Sequence, residues 1–115
     1  MKLYLAAPLP AELAAELESF LKKARELPDP TSLREGGAEL IIRLTNACLD
    51  HYFVRSVDQL GLGLIAKQAT NLGLKTAAGG IALFVRRIAG SMNAEQIRKL
   101  ADLMEELILE VPDPE

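Results

Sequence analysis

The residues of this chain best suited to chemistry stand together around its single histidine. Asp50, His51 and Tyr52, with Arg55 and Asp58, form a polar cluster in an otherwise apolar stretch. A histidine titrates near neutral pH, and a carboxylate that orients its ring turns it into a general acid or base. However, Asp50 directly precedes His51, and adjacent residues of a helix do not face each other. We therefore predict no catalytic residue. His51, Arg55 and Asp58 remain a candidate polar cluster, and any catalytic activity of the chain is expected there.

Metal and redox chemistry have little support in the sequence. Cys48 and His51 lie three residues apart and can share a helical face, but no second cysteine or histidine exists to complete a site. The lone cysteine excludes an internal disulfide, and it has no third partner that would make it a nucleophile. We predict no metal and no cofactor.

Two glycine-containing segments come close to nucleotide-binding motifs. Residues 61–66 fit the G-x-G-x-x-A fingerprint, but no strand is readable before them and no acidic residue between Asp58 and Glu95 is present to hold a ribose. In residues 73–76 a leucine separates the glycine from the lysine of a phosphate loop. We interpret the first segment as a turn between helices and reject the second.

The proline positions predict the elements that must hold these residues. All six prolines lie at 8, 10, 28, 30, 112 and 114, so the 81 residues 31–111 contain none. Proline interrupts a helix, and no two-residue alternation long enough for a sheet is visible. The predicted class is all-α, an antiparallel four-helix bundle (up-down-up-down) over 10–111, with a kink near 55–63 left open. Residues 1–9 are predicted to be an apolar arm and 112–115 a loose tail.

Local signals place the four helices. The first runs from Pro10 to Leu27, and the second begins at a capping box formed by Ser32 and Glu35, or just after Gly37, and continues toward residue 61. The third spans about 64–89, and the fourth begins at an Asn93–Gln96 capping box. The apolar seam predicted for the fourth helix consists of Ile97, Leu100, Met104, Leu107 and Val111.

The charge distribution predicts how the last helices pack. Residues 51–90 carry a net charge of +4 and residues 91–115 one of −5, within a total of −3. We expect the basic third helix to lie beside the acidic fourth helix, and an external anionic partner is the alternative. The contacts expected from this fold are Lys75 with Glu106 and Glu110, and Arg86 or Arg87 with Glu95.

Small residues along the third helix predict close packing. Gly73, Ala77 and Gly80 share one stripe, and glycine inside a helix costs about 1 kcal/mol relative to alanine. A turn about Leu62 would place His51 opposite Gly73, which has room for an imidazole. Leucine at Gly73 is then expected to overpack the contact.

The predicted function is that of a non-catalytic interaction module in the cytoplasm. Large apolar residues outside the core stripes suggest a homodimer or larger, or docking of another protein; the candidate interface residues are Leu49, Phe53, Leu103 and Leu109. The alternative is an apolar ligand or lipid surface bound by the second and third helices. Overall acidity, the absence of tryptophan and only five aromatic residues argue against nucleic acid. No apolar run approaches the ~20 residues of a transmembrane helix.

Overall fold

The computed structural model describes residues 6–108, and all regular secondary structure within this range is helical. The all-α class is thus confirmed. Five α-helices, a 3₁₀ turn and a π-helical turn follow in this order: α1 Ala11–Glu26, the 3₁₀ turn Pro30–Leu33, α2 Arg34–Leu49, the π turn Asp50–Val54, α3 Arg55–Gln59, α4 Leu64–Ala89 and α5 Ala94–Glu106. Because α2, the π turn and α3 run on without a break, they form one long rod, and residues 6–108 contain four helical rods.

Several helix ends lie where the sequence predicts them. Pro10 precedes the first residue of α1, and α1 ends before Pro28 because a residue that precedes proline is disfavoured in a helix. The bounds of α4 are those predicted for the third helix. Gly61 has a φ of 67°, a left-handed conformation that glycine adopts without steric cost, and it turns the chain between α3 and α4.

The start of α2 differs from the prediction. Ser32 and Glu35 form no capping box, because residues 30–33 are used in the 3₁₀ turn and Leu33 stands at the N-cap of α2. Asp29 caps the 3₁₀ turn instead. Its carboxylate accepts hydrogen bonds from the Thr31 N–H at 3.1 Å and from the Thr31 hydroxyl at 2.7 Å.

The seam of α5 is shorter than predicted. Ile97 and Met104 are buried and Leu100 is half-buried, but Leu107 is 77% exposed because α5 ends at Glu106. Val111 lies outside the described residues. The same holds for the loose tail 112–115 and for residues 1–5 of the apolar arm, whereas Leu9 packs against the core.

The capping box at the start of α5 is confirmed and is open to a direct test. The Asn93 side chain accepts a hydrogen bond from the Gln96 N–H, and the Gln96 side chain accepts one from the Asn93 N–H, both at 2.9 Å. We expect Asn93→Ala to lower the free energy of unfolding by about 1 kcal/mol, since the Gln96 N–H at the start of the helix loses its acceptor. Urea unfolding followed by circular dichroism measures this. Asn46→Ala, at an exposed interior position of α2, is the control and should not destabilise the protein; equal losses would contradict the prediction.

The hydrophobic core lies between α1, α5 and the first half of α2. Its buried members are Leu13, Leu17, Phe20, Leu21, Ala24, Leu40, Ile97, Ala101 and Met104. At its edge, Arg25 of α1 pairs with Asp102 at 3.2 Å and also with Glu105. Arg98 donates hydrogen bonds to the carbonyl oxygens of Leu27 at 3.3 Å and Pro28 at 3.0 Å. These contacts fasten α5 to the end of α1.

The long rod and α4 form an antiparallel hairpin. Two ion pairs mark its register, Glu39 with Arg86 at 2.9 Å and Asp58 with Lys67 at 3.0 Å. The residue numbers of each pair add up to 125, within one of the value expected from a turn about Leu62. Helix α4 spans about 39 Å at 1.5 Å per residue, so the hairpin extends well beyond the core.

The predicted pairing of the third and fourth helices is wrong. Helix α4 packs on α2, and α5 packs on α1; in the described part of the chain α4 and α5 scarcely touch. Arg86 finds its carboxylate on α2, while two acidic residues of α5 are taken by Arg25. The molecule is elongated as a result. Its radius of gyration is 16.3 Å, against about 13 Å for a compact chain of this length.

Candidate functional site

The polar cluster lies on the long rod where the π turn passes into α3. His51 is half-buried, and its ring meets that of Tyr52 edge to face, with centroids 5.1 Å apart. Arg55 and Asp58 are exposed. The Asp58 carboxylate pairs with Lys67 across the hairpin, so it is engaged in holding α3 to α4. Through Asp58, the polar cluster therefore helps to hold α3 against α4 near the turn between them.

A small open crevice lies beside this cluster. Its lining residues are Val54, Val57, Asp58, Lys67, Thr70 and Asn71, and its volume is about 130 Å³. Small-molecule sites usually measure about 300–1,000 Å³, so this crevice suits a few water molecules. Nearby in sequence, the Tyr52 hydroxyl is buried and has no hydrogen-bond partner among residues 6–108. Among residues 6–108, no group of three histidine, cysteine, aspartate or glutamate side chains is arranged to hold a metal ion. Cys48 is a half-buried free thiol.

Phe53 and Leu103, two of the predicted interface residues, lie on elements that pack on different neighbours. Phe53 is 51% exposed and Leu103 is 58% exposed, whereas Leu49 is half-buried. The π turn that carries Phe53 packs on α2, α3 and α4, while α5, which carries Leu103, packs on α1 and the 3₁₀ turn. Leu109 lies outside the described residues.

The close packing predicted for the small-residue stripe is absent within the described chain. Gly73, Ala77 and Gly80 are all exposed, and a Cβ added at either glycine would have no neighbouring side chain or element within 4 Å. Helix α4 is rotated so that a different stripe meets α2. The half-buried or buried residues of that stripe are Ala66, Thr70, Leu74, Ala78, Ile81, Ala82, Val85 and Ala89. Leucine at Gly73 would thus project into open space rather than overpack the hairpin.

The most unusual surface of the molecule is the side of α4 that points away from α2. We call it the outer face of α4 and define it by six exposed residues, Ile65, Leu72, Gly73, Thr76, Gly80 and Leu83. Three of them are large and apolar, with exposed fractions of 84% for Ile65, 69% for Leu72 and 64% for Leu83. From Ile65 to Leu83 this face carries no charged side chain, and the exposed Arg87, four residues after Leu83, continues it toward the end of α4. Of the 26 residues of α4, all of them described, Ala89 is the one that is buried.

Sequence reasoning missed this face although its signal is visible. The residues recur at three- and four-residue steps, which is the spacing of a helical stripe. The small residues Gly73, Ala77 and Gly80 predict close helix packing, which would place their stripe inside the hairpin rather than on its outside. Among the described residues, α2 covers one apolar stripe of α4 and the other is exposed.

The basic residues near this face are partly neutralised within the chain. Arg86 donates a hydrogen bond from Nε to the Glu39 carboxylate at 2.9 Å. This bond is the main reason that the pKa of Glu39 is lowered. A lowered carboxyl pKa contributes stability that is present above the pKa of the unfolded chain and is lost as pH falls through the folded value.

The pair provides a pH prediction. We expect Arg86→Gln to raise the pKa of Glu39 back toward its ordinary value, because the charged donor is removed. An NMR titration of the Glu39 side chain measures the change. Arg87→Gln, which removes the same charge one residue further along, is the control. If both variants shift the Glu39 pKa equally, the summed positive charge of α4 lowers this pKa, and the hydrogen bond from Arg86 does not.

In the described part of the chain, no helix is long and apolar enough to cross a membrane. Comparison of the chain with protein-family models, with curated proteins and with solved structures finds no match.

Proposed function

We propose that the protein is a non-catalytic helical interaction module that self-associates or docks a protein partner through an apolar helix face. The observation that supports this is the outer face of α4. Exposed leucines are common on protein surfaces when they stand singly. Here Ile65, Leu72 and Leu83 share one face of one helix, and monomeric proteins rarely leave a contiguous apolar patch larger than a few hundred Å².

The energetics favour coverage of this face by another surface. Complete burial of a leucine or isoleucine side chain contributes about 1.5–3 kcal/mol. Helix α4 is already ordered by its packing on α2. Burial of three such side chains on it would therefore contribute favourably to the free energy of association, before the entropic cost of association is subtracted. The neighbouring exposed Phe84, at 64%, can extend the contact. A protein surface that buries these residues is the simplest partner.

The second candidate function, binding to an anionic lipid surface, is favoured by the charge of α4. The helix contains Lys67, Lys75, Arg86 and Arg87 and no acidic residue. Helices that lie on membranes combine an apolar face with a basic one. In this protein, however, Lys67 and Arg86 are paired with Asp58 and Glu39 of the same chain. Only Lys75 and Arg87 are left to meet lipid phosphates, so we favour a protein partner.

Vesicle flotation distinguishes the two candidates. The purified chain is mixed with vesicles of phosphatidylcholine alone or with added phosphatidylserine and centrifuged through a density gradient. We expect the protein to stay at the bottom with both vesicles. Flotation of the wild type with the anionic vesicles, abolished by Leu72→Glu, would contradict the proposal and assign the outer face of α4 to lipid.

A further inference from the structure

We infer that the partner of the outer face of α4 is an amphipathic helix whose apolar stripe is flanked by carboxylates. This inference rests on the proposed function and names the chemistry of the partner. The apolar stripe would cover Ile65, Leu72 and Leu83, and carboxylates beside it would pair with Lys75 and Arg87. The charges of α4 support the inference, and so does the way in which the chain itself covers the opposite side of this helix.

Every charged residue of α4 is basic. The helix contains Lys67, Lys75, Arg86 and Arg87 and no aspartate or glutamate. A partner that lies along this helix therefore meets positive charge only. A basic partner would be repelled, because like charges brought together at an interface cost free energy, whereas carboxylates on the partner would be attracted.

The side of α4 that is already covered shows how its cations are accommodated. The long rod packs on this side and supplies carboxylates to two cations of α4. Glu39 pairs with Arg86 at 2.9 Å, and Asp58 pairs with Lys67 at 3.0 Å. A helical element that carries carboxylates beside its buried residues thus matches that side of α4 in both apolar contact and charge.

The two other cations of α4 have no such partner within the described chain. Lys75 and Arg87 are exposed and take part in no ion pair among residues 6–108. Lys75 follows Leu72 by three residues and Arg87 follows Leu83 by four, so each cation neighbours an apolar residue of the outer face. A surface that covers these leucines removes water from the two cations as well, and a carboxylate opposite each of them offsets that loss.

The spacing of these residues suits a helix and sets the position of its carboxylates. Ile65 and Leu83 stand 18 residues apart, which is about 27 Å along α4, and a second helix lying alongside matches a stripe of that length. Lys75 and Arg87 stand 12 residues apart, which is about 18 Å. We therefore expect acidic residues about twelve positions apart in the partner, beside an apolar stripe at three- and four-residue steps.

Three synthetic peptides test the inference. Each is an amphipathic helix of about 28 residues, long enough to span the outer face, with one stripe of leucine and alanine. They differ only in the residues that flank the stripe, which are glutamate, glutamine or lysine. Fluorescence anisotropy of the labelled peptides measures their dissociation constants. We expect the glutamate peptide to bind about tenfold more tightly than the glutamine peptide, since it adds two exposed ion pairs, and the lysine peptide to bind most weakly.

Charge reversal on the protein provides the matched comparison. Lys75→Glu combined with Arg87→Glu should bind the lysine peptide more tightly than the glutamate peptide. Lys22→Glu combined with Lys23→Glu changes the net charge by the same amount on α1, and it should keep the preference of the wild type. Leu72→Gln should weaken the binding of all three peptides, because it removes an exposed apolar side chain without adding charge.

The outcomes separate this inference from the proposed function. If the three peptides bind the wild type equally and Leu72→Gln weakens all of them, the inference is overturned and docking of a protein through the apolar face stands. If both double variants reverse the preference, the net charge of the chain decides it, and the inference is again overturned. If no peptide binds the wild type and the chain sediments as a monomer, both the inference and the proposed function fail.

Two other occupants of the face would give different results. A wild-type dimer in sedimentation equilibrium that Leu72→Gln dissociates would place a second copy of the chain on the outer face of α4. It would overturn the inference, while the proposed function, which includes self-association, would stand. Flotation of the wild type with anionic vesicles, lost in Leu72→Gln, would assign the face to lipid and overturn both.

Discussion

Ile97→Ala is expected to lower the free energy of unfolding by about 2–5 kcal/mol, the largest loss that we predict for a single side chain. Ile97 is 2% exposed and lies in the core cluster that joins α1, α5 and Leu40 of α2. The substitution removes three carbon atoms from a site where helices from three parts of the sequence meet. The cavity that remains is bordered by residues held on separate helices, so it collapses only in part.

A matched substitution in the same helix provides the control. Leu103→Ala removes a side chain of the same size from a position that is 58% exposed, and it should change the free energy of unfolding by no more than about 0.5 kcal/mol. Urea unfolding of both variants should be followed at one fixed protein concentration, because self-association of a protein makes its apparent stability depend on concentration. Similar midpoints for the two variants would show that α5 does not form the core.

Gly37→Leu is the second large effect, and it acts by overpacking rather than by a cavity. A Cβ added at Gly37 would lie 2.9 Å from Cε2 and 3.2 Å from Cζ of Phe20. Phe20 is itself buried, at 7% exposure, so its ring has little room to move. We expect a steric loss of about 1–3 kcal/mol where α2 crosses α1.

The neighbouring glycine isolates this effect. Gly36 is also in the first half of α2, and a Cβ there would have no neighbour within 4 Å among the described residues. Leucine at either position gains the same helix propensity. The difference in melting temperature between Gly36→Leu and Gly37→Leu therefore reports the contact with Phe20. If Gly37→Leu melts at the same temperature as Gly36→Leu or above it, the close approach of the two helices would be refuted.

Sequence reasoning was accurate where one short segment decides the structure. Pro10 and Pro28 bound α1, the Asn93–Gln96 box begins α5, and Gly61 provides the turn before α4. Each of these signals acts through backbone geometry or hydrogen bonds within about four residues. The fold-back of α4 onto α2 followed as well, because a connection as short as 60–63 leaves little choice near the tip.

The candidate site was only partly predictable, because it depends on contacts between helices that are distant in the sequence. The spacing of small residues placed Gly73, Ala77 and Gly80 on one stripe of α4, but it did not show whether that stripe meets α2. That choice depends on the rotation of the helix. The structure turns Ala66 and Ala78 toward α2 and leaves Gly73 and Leu72 outside. The spacing of these residues is visible in the sequence, but their exposure is a property of the packed hairpin.

The sequence by itself determined that this protein is helical, where most of its helices begin and end, and which faces of them are apolar. Only the tertiary structure decided which helices are neighbours. The basic α4 had acidic residues available on both α2 and α5, and Arg86 found Glu39 rather than Glu95. Exposed ion pairs contribute at most about 1 kcal/mol each and cannot select a fold. The burial of α5 against α1 around Ile97 and Met104 outweighs them, and among residues 6–108 it leaves the outer face of α4 uncovered.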